Sequence, residues 1–401
     1  MHIVQASDLF AGTPMGLKSL VLLERPTAGP VVRLAAVGDV GLSGRIRQAA
    51  ERSSYAALFS EVAPVLQSAD LAFVNIEFPL AGAAGGNGMF CGDPASAHAL
   101  RDAGFVLAQL ANNHGWDFGA AGLDSTLKAV RDAGMVPLGA GADSDDARRL
   151  VRTDRNGLRI GWLAAGRTLV DQDGPGPRYW EYDEDQILRA IEKARGEVDV
   201  LVLGLHVGLM YLDYPDPRFK RFAQQAMSAG ADLVLMHHAH LLQSTQVTPE
   251  GRVCLYCMGN FLLDWREGNV EVRTMAREQA EAGVFLFDLD RRGVATARML
   301  PTFIDEDGCV RWATGPRGDR ILERLVRISR DIESDYQAAF GRQRVLRNAW
   351  PVAQVLAFHA ARGHWRIVLD MLRRVRPEHA AMLWRFVSSR AKGLVGLTGE
   401  R

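Results

Sequence analysis

The sequence has few cysteines, no excess of either charge and no long apolar run. Four cysteines in 401 residues are too few for a disulfide-stabilised scaffold. Lysine plus arginine number 47, as do aspartate plus glutamate, so no global field favours nucleic acid or a membrane surface. No segment reaches the roughly 18 consecutive apolar residues of a membrane-spanning helix, and no secretory signal is visible. We therefore expect a cytoplasmic globular protein with no membrane span and no nucleic-acid partner.

Two of the cysteines, Cys254 and Cys257, form a C-x-x-C pattern, which is typical of redox and zinc sites. The pattern lies in RVCLYCMGN, which is predicted to be a strand. Side chains three positions apart on a strand point to opposite faces, and neither a turn nor a second cysteine pair accompanies them. Buried thiols are therefore favoured over a redox or zinc site.

Short apolar runs that end in polar residues recur from residue 32 onward. The five runs are VVRLAAVGDV, DLAFVNIE, GFVLAQLANNHG, VDVLVLGLHVG and DLVLMHHAH. Helical patterns separate them, such as AAGLDSTLKAVRDAG, which Gly134 is expected to end. This α/β alternation predicts a largely parallel sheet covered by helices. Ligands of such folds bind beyond the carboxyl ends of the strands, so the five polar clusters are expected to meet there.

The pattern changes in the second half of the chain. Two antiparallel hairpins are predicted there, turning at residues 249–251 and 292–293, and from about residue 317 the chain reads as arginine-rich helices. The glycine-rich stretch 81–94 is expected to be a mobile loop near the second polar cluster. We divide the chain into an N-terminal extension or early strand (1–31), an α/β domain (32–310) and a helical C-terminal region (317–401).

The polar residues at the strand ends supply the ligand types of a transition-metal site. They include two carboxylates, at least three imidazoles and an amide oxygen, a set that suits Mn, Fe or Zn better than Mg or Ca. A bridging carboxylate could hold two such ions about 3.5–4 Å apart. Packing alone does not explain so many ionisable groups, because burying each one unpaired is costly. The residues are Asp39, Asn75, Glu77, Asn112, Asn113, His114, Asp117, His206, His238 and His240.

A site with these ligands suits phosphoester hydrolysis. Bound ions polarise phosphoryl oxygens and lower the pKa of a bound water, so that hydroxide forms near neutral pH. An imidazole that is not a ligand could protonate the leaving group, and His114 is the candidate because metal is expected to occupy Asn113. His238 and His240 would share one face of an extended segment. His237 would lie on the other face in a supporting role.

Six sequence blocks follow one another between residues 32 and 305. They are AAVGDVGLSG, DLAFVNIEFPL, AGFVLAQLANNHGWDFGAAGLDSTLKAVRDAGMVPLGAG, VLGLHVGLMY, DLVLMHHAHLLQ and YCMGNFLLD. In this order they resemble the CapA-type capsule (poly-γ-glutamate) biosynthesis family, which belongs to the calcineurin-like metallophosphoesterase superfamily. The resemblance implies a four-layer α/β/β/α sandwich, to which the helical C-terminal region is added.

The resemblance also implies residue roles. His114 takes the place of the acid histidine. We further expect Asn75, Asn112, Asp117, His237 and Asn260 to support the ligands or to contact substrate, although the Gly259-Asn260-Phe261 block has no role that the sequence assigns. The ligands implied for one or two divalent transition-metal ions are Asp39, Glu77, Asn113, His206, His238 and His240.

The sequence departs from the superfamily pattern in two blocks. The first motif, Asp-x-His, is here Asp39-Val40-Gly41, so one metal site loses an imidazole and a mononuclear site stays open as an alternative. In the last block, His237 stands where glycine usually precedes His-x-His.

The function favoured by these observations is that of a metal-dependent hydrolase of phosphoesterase type. It would use metal-bound hydroxide on a small-molecule or polymeric anionic substrate. Metal-dependent amide or peptide-bond chemistry in a biosynthetic pathway is one alternative, because the same nucleophile attacks carbonyls. The missing motif-one histidine favours another alternative, a non-catalytic scaffold in polymer biosynthesis.

Overall fold

The computed structural model of the protein describes residues 1–6, 13–82, 90–167, 172, 174–263, 277–334 and 336–349. The central part of the glycine-rich stretch and the predicted helices beyond residue 349 lie outside the described residues. None of the helices in these described ranges combines the length and the apolar content needed to span a bilayer.

The described strands and helices alternate along much of the chain. The strands are β1 (His2–Gln5), β2 (Lys18–Glu24), β3 (Val32–Val40), β4 (Leu71–Ile76), β5 (Leu107–Gln109), β6 (Val136–Leu138), β7 (Ala140–Gly141), β8 (Val151–Arg155), β9 (Leu158–Gly166), β10 (Arg178–Tyr179), β11 (Val200–His206), β12 (Leu233–His237), β13 (Thr245–Val247), β14 (Val253–Leu255), β15 (Asn260–Leu262), β16 (Glu281–Asp290), β17 (Gly293–Ile304) and β18 (Val310–Trp312). The helices are α1 (Gly44–Arg52), α2 (Ala63–Gln67), α3 (Ser96–Asp102), α4 (Gly119–Asp132), α5 (Ser144–Arg148), α6 (Glu184–Arg195), α7 (Pro217–Ala229), α8 (Gly315–Asp331) and α9 (Gln337–Gln343), with a 3-10 helix at Ala56–Phe59 and a π-helical turn at Arg344–Ala349.

Two large sheets contain most of the strands. The larger has the order β1-β2-β17-β16-β3-β4-β5-β6, with β15 beside β3 and β18 beside β17, and its strands β3 to β6 run parallel. The smaller has the order β13-β14-β12-β11-β9-β8, with β14, β12, β11 and β9 parallel. A short antiparallel pair, β7 and β10, is separate from both.

The two sheets pack face to face with helices on their outer sides. In β3, Leu34 and Ala36 belong to the core shared with the smaller sheet, whereas Ala35 belongs to the core shared with α1, α3 and α4. Phe73 of β4 stacks on Trp162 of β9 with ring centroids 6.3 Å apart. Helices α6 and α7 cover the far side of the smaller sheet. Burial on both faces explains why these strands are almost continuously apolar, and the predicted four-layer α/β/β/α sandwich is confirmed.

The parallel strands predicted from the α/β alternation are divided between the two sheets. The clusters at Asp39, Glu77 and residues 112–114 follow strands of the larger sheet, whereas His206 and the 237–240 cluster follow strands of the smaller one. A buried parallel strand has the same apolar sequence pattern in either sheet, so the hydrophobic periodicity does not show to which sheet a strand belongs.

Both predicted hairpins are confirmed. β13 and β14 pair across the turn at residues 248–251, and β16 and β17 pair across residues 291–292 and extend the larger sheet. Helix α4 ends at Asp132, and Gly134 follows with φ of 77°, as its predicted role as a stop requires.

Segments near both ends of the described part of the chain pack against the sheets. Of the two alternatives for residues 1–31, an extension or an early strand, the strand is found: residues 18–24 form β2, which pairs with β17 and with β1. In the C-terminal region, α8 packs Ile321, Leu325 and Ile328 beside β2, β17 and β13, which belong to both sheets. The division of the chain into three parts stays a prediction.

Candidate metal centre

The polar strand ends of the two sheets meet in one buried cluster. Asp39 lies near the end of β3, and its register partner in β4 is Asn75, two residues before Glu77. His206 ends β11 and pairs in register with His237, which ends β12. All five side chains are buried. The parallel arrangement therefore brings the carboxyl ends of four strands together.

Asp39 is the most densely hydrogen-bonded member of the cluster. Its Oδ1 accepts from Asn75 Nδ2 at 2.9 Å and from His237 Nδ1 at 2.8 Å. Its Oδ2 accepts from the backbone N–H of His238 at 3.4 Å. Burial raises the pKa of Asp39, but the charges of His237 and His240 and the hydrogen bonds from His237 and Asn75 outweigh it, so the net pKa lies below its usual value. Asp39 is therefore held as a carboxylate.

Glu77 has the opposite environment. Both of its side-chain oxygens are buried and lack a hydrogen-bond partner among the described residues. Its Oε1 lies 3.4 Å from His240 Nε2, 3.8 Å from His206 Nε2 and 3.9 Å from His114 Nε2. Burial, and after it the charges of Asp39 and Asp117, raises the pKa of Glu77 well above its usual range. Such a carboxylate is costly to keep charged without a nearby cation.

The three clustered histidines do not follow the predicted extended geometry. β12 ends at His237, and His238 and His240 have φ of 90° and 54°, in the left-handed region. The prediction that His237 faces away from His238 and His240 is wrong, because this backbone turns successive side chains toward the same centre. His237 contacts Asp39, His238 Nδ1 lies 3.2 Å from His206 Nε2, and His240 faces Glu77.

The Gly-Asn-Phe block supports this cluster. His240 Nδ1 donates to Asn260 Oδ1 at 2.8 Å, which leaves the lone pair of Nε2 directed at Glu77. The Gly259 carbonyl accepts from the backbone N–H of Asp39 at 2.9 Å. The block therefore orients one imidazole and fixes the end of β3.

The Asn-Asn-His segment forms the third side of the cluster. Asn112 donates from Nδ2 to the Ile76 carbonyl at 2.8 Å and accepts at Oδ1 from the backbone N–H of His114. Asn113 Oδ1 is buried and has no hydrogen-bond partner in the described part of the chain. Asn112 thus shapes the turn, and Asn113 has a free acceptor oxygen.

His114 differs from the other imidazoles because it reaches solvent. Its side chain is 15% exposed, and its Nδ1 lies 2.7 Å from Asp117 Oδ2. Its ring packs against Phe78 and Phe90, with centroids 5.2 Å and 4.8 Å away. An imidazole between solvent and the cluster can exchange a proton with both.

Phe78 also explains the missing motif-one histidine. A Cβ atom on Gly41 would overlap the Phe78 ring, so no larger side chain fits at this position without displacing that ring. The space beside β3 is filled by an aromatic side chain rather than by an imidazole.

Tyr211 borders the cluster but was not among the site residues predicted from the sequence, although it lies in the block VLGLHVGLMY. The Tyr211 ring lies 6.2 Å from the His240 ring, and its backbone N–H donates to the Ala239 carbonyl at 2.8 Å. Its φ is 65°, which is rare outside glycine. Burial, and after it the charge of Glu77, raises the pKa of the Tyr211 phenol. The sequence feature that could have indicated Tyr211 as a site residue is its position shortly after His206.

The two C-x-x-C cysteines are free, buried thiols, as favoured from the sequence. Burial raises the pKa of Cys254 and raises that of Cys257 to about 12. Neither belongs to the group of possible metal ligands that the described residues form.

The donor atoms in this cluster fit a divalent transition-metal ion. One ligand atom each from Asp39, Glu77 and His240 lies within 4.8 Å of the others. Burial, and then the neighbouring imidazoles, lowers the pKa of His206 well below its usual value, and burial lowers that of His238 to about 3. Burial also lowers the pKa of His240, despite the opposing charge of Asp39. Neutral imidazoles have lone pairs available for a cation.

The α/β/β/α sandwich and the histidine–carboxylate cluster where both sheets end are the features that the resemblance to the metallophosphoesterase superfamily implied. The chain matches the family model of the bacterial capsule synthesis protein PGA_cap over residues 33–265, and it belongs to that family. The resemblance to the CapA-type family is thereby confirmed.

Several known proteins are similar to this chain. It is 30% identical over 286 residues to the capsule biosynthesis protein CapA of Bacillus anthracis, which covers 67% of each chain. It is 26% identical over 289 residues to the PGA biosynthesis protein CapA of Bacillus subtilis strain 168, covering 69% of this chain and 72% of the relative. The 5'-nucleotidase of Candida albicans superposes with a TM-score of 0.40 at 11% identity, covering 78% of this chain and 61% of that one. The layer order, rather than this distant likeness, defines the fold.

Proposed function

We propose that the protein is a metal-dependent hydrolase of phosphoesterase type. The observation that supports this most directly is Glu77, a buried carboxylate that has no hydrogen-bond partner among the described residues and lies within 4 Å of three imidazole nitrogens. A packing role does not account for this arrangement, because the Glu77 carboxylate would be desolvated without a compensating hydrogen bond. A cation between the carboxylate and the imidazoles would satisfy all of them.

The ligands in this proposal are those implied by the resemblance. One or two Mn, Fe or Zn ions would be held by Asp39, Glu77, Asn113, His206, His238 and His240. Such an ion supplies Lewis-acid polarisation of a phosphoryl oxygen and activation of water. Asn75 keeps Asp39 in place, Asn260 sets the tautomer of His240, and Asn112 shapes the turn that presents Asn113.

His114 is the proton donor to the leaving group in this proposal. Asp117 binds Nδ1, which leaves Nε2 on the side of the cluster, 3.9 Å from Glu77 Oε1. The Asp117 carboxylate also fixes the orientation of the ring, so that Nε2 is the nitrogen from which a proton would be transferred. Partial exposure of His114 lets solvent return the proton after each turnover.

The substrate class in this proposal is a small-molecule or polymeric anion from capsule or poly-γ-glutamate biosynthesis. The relatives named for capsule and PGA biosynthesis support it. Because poly-γ-glutamate is joined by amide bonds, metal-dependent amide or peptide-bond chemistry is the second candidate activity. A scaffold without catalysis is the third, and Gly41 at the motif-one position favours it.

Metal analysis and turnover of variants test the proposal together. The purified protein should bind Mn, Zn or Fe and should hydrolyse bis(p-nitrophenyl) phosphate when the metal is added. His206→Ala and His238→Ala should lower metal content and turnover together. His114→Ala should lower turnover by about 10²–10⁴-fold with metal largely retained. His98→Ala, at an exposed position of α3, is the matched control.

The outcomes separate the candidate functions. Metal-stimulated cleavage of γ-glutamyl p-nitroanilide without cleavage of the phosphodiester favours amide chemistry. Absence of bound metal and of metal-stimulated turnover with either probe favours the scaffold. Loss of metal in His114→Ala as complete as in His238→Ala contradicts the separate roles proposed for these residues.

A further inference from the structure

The loop between β11 and α7 brings Tyr211 to the cluster from the side of the smaller sheet. The loop starts directly after His206 and ends at Asp216, the N-cap of α7. Tyr211 is the third residue after Gly208 in HVGLMY, and its ring lies 6.2 Å from the His240 ring. His114 approaches Glu77 from the larger sheet. Two polar aromatic side chains therefore flank the cluster, one from each sheet.

The backbone conformation at Tyr211 is an unfavourable one for this residue type. Its φ of 65° is in the left-handed region, which is sterically unfavourable for a residue other than glycine. Its N–H donates to the carbonyl of Ala239, between His238 and His240, whose φ values are also positive. A backbone hydrogen bond therefore joins Tyr211 to the segment 238–240, and both have left-handed backbone conformations. Conformations of this kind persist where surrounding contacts fix them, and they concentrate at functional sites.

The rest of the loop is fixed by the C-terminal helices. The backbone N–H of Asp213 donates to Gln343 Oε1 at 3.0 Å, and Gln343 Nε2 donates to Asp213 Oδ2 at 2.8 Å. Arg324 of α8 donates to the other carboxylate oxygen of Asp213. The Tyr214 hydroxyl donates to Asp331 Oδ2 at 2.5 Å. These bonds fix Asp213 and Tyr214, which follow Tyr211 closely in the loop.

We propose that Tyr211 contacts the substrate and donates a hydrogen bond from its phenol to an anionic oxygen of a phosphoryl-type group at the cluster. This inference rests on the proposed function, and it adds a substrate-binding residue beside His240. A phenol is a neutral donor at physiological pH, so it can bind an oxyanion beside Glu77 without adding charge. A donor that is already oriented contributes most where negative charge develops on the reacting group.

The variant Tyr211→Phe isolates the hydroxyl, because it keeps the ring that packs beside His240. Binding of inorganic phosphate to the metal-loaded protein is measured by calorimetry, turnover of bis(p-nitrophenyl) phosphate by absorbance, and metal content by mass spectrometry. Tyr211→Phe should weaken phosphate binding by about tenfold and lower kcat/KM by about ten- to a hundredfold, the range of a hydrogen bond to a charged group. Its metal content should equal that of the wild type. Tyr55→Phe, beside the 3-10 helix on the outer side of the larger sheet, is the matched control and should change none of the three.

The outcomes distinguish this inference from the proposed function. Wild-type turnover and phosphate affinity retained in full by Tyr211→Phe would overturn the inference and leave the hydrolase proposal intact. Loss of metal in Tyr211→Phe would also overturn it, because the residue would then support the ligands rather than the substrate. A wild-type protein that neither cleaves the diester nor binds phosphate would contradict the proposed function and this inference together.

Discussion

The orientation of single imidazole rings decides which nitrogens face the centre of the cluster. His240 has one nitrogen on Asn260 Oδ1 and the other 3.4 Å from Glu77. Asp39 likewise accepts from Nδ1 of His237. A hydrogen bond at one ring nitrogen fixes the tautomer at the other, so these acceptor oxygens determine where lone pairs are available.

Asn260 therefore gives a prediction about metal affinity. Asn260→Ala removes the acceptor and should weaken metal binding by about 10–100-fold, because the His240 ring loses its fixed tautomer and orientation. Asn260→Asp keeps an acceptor oxygen and should retain most of the affinity. Competition with a chelating dye measures both constants. Equal affinities for Asn260→Ala and the wild type would show that the amide does not orient His240.

His238 gives a prediction about the pH dependence of stability in the metal-free protein. Burial lowers the pKa of His238 in the folded state to about 3, against about 6.5 for an unperturbed histidine. Between these pH values the unfolded chain binds a proton that the folded chain excludes. The free energy of unfolding should therefore fall as pH falls from 6.5, with this residue contributing at most about 1.4 kcal/mol per pH unit.

Urea titrations from pH 7 to pH 4 measure this slope. His238→Gln should show a shallower decline than the wild type, since the group that excludes the proton is gone. The raised pKa of Glu77 acts in the opposite direction, because a carboxyl group of this kind lowers the free energy of unfolding as pH rises. Both proteins contain Glu77, so its contribution cancels when their slopes are compared. An identical slope in both proteins would contradict a buried neutral His238. His98→Gln, at an exposed site, is the control.

At the scale of secondary-structure elements, the close approach of β3 to the segment before β15 supports the cluster. Gly38 lies against Gly259, and the carbonyl of Gly259 binds the N–H of Asp39. A Cβ atom on Gly38 would overlap that carbonyl oxygen. The Gly-Asp pair that the sequence analysis treated as a strand end is thus also a point of backbone contact.

Gly38→Ala should separate these two elements. The expected loss in the free energy of unfolding is about 2 kcal/mol or more, because neither backbone can move freely inside the sheet. Gly196→Ala is a matched control, since nothing lies within 4 Å of its Cβ position and its φ is −74°. That variant should stay within about 0.5 kcal/mol of the wild type in chemical denaturation. A Gly38→Ala protein as stable as the control would contradict the close approach.

At the scale of the whole molecule, the cluster joins the two sheets at the edge where their strands end. Asp39 and Glu77 come from the larger sheet, and His206 and His240 from the smaller one. A cation bound by both sets would connect the halves of the sandwich, and it would also remove the cost of burying Glu77 as a charge.

Added metal should therefore raise the stability of the entire fold. At a free concentration of 100 times its dissociation constant, an ion that binds the folded state alone contributes about 2.7 kcal/mol. Thermal melts with Mn or Zn, compared with melts in chelator, measure this shift. Glu77→Gln should reduce the shift while leaving the chelator melt near or above that of the wild type, because the variant removes a buried acid. A shift of equal size in Glu77→Gln would place the ion elsewhere.

The local sequence by itself determined the strands, the hairpins and the polar residues that end the strands. An apolar run such as Leu233–Met236 must be buried on both faces, and the change to polar residues after it marks a strand end. These are properties of neighbouring residues, so periodicity and turn chemistry are sufficient to read them. The order of the six blocks likewise identified the family before any contact was known.

The tertiary structure decided which strands share a sheet, how His237 to His240 turn, and that Tyr211 and Phe78 border the cluster. His238 has a left-handed backbone where its N–H donates to Asp39, and the next residue, Ala239, accepts from the N–H of Tyr211; both partners lie far away in sequence. The Phe78 ring fills the space that a side chain at position 41 would need, and this contact is known only from the folded structure. Long-range packing sets these features, because the local preference of each segment is too weak to select them.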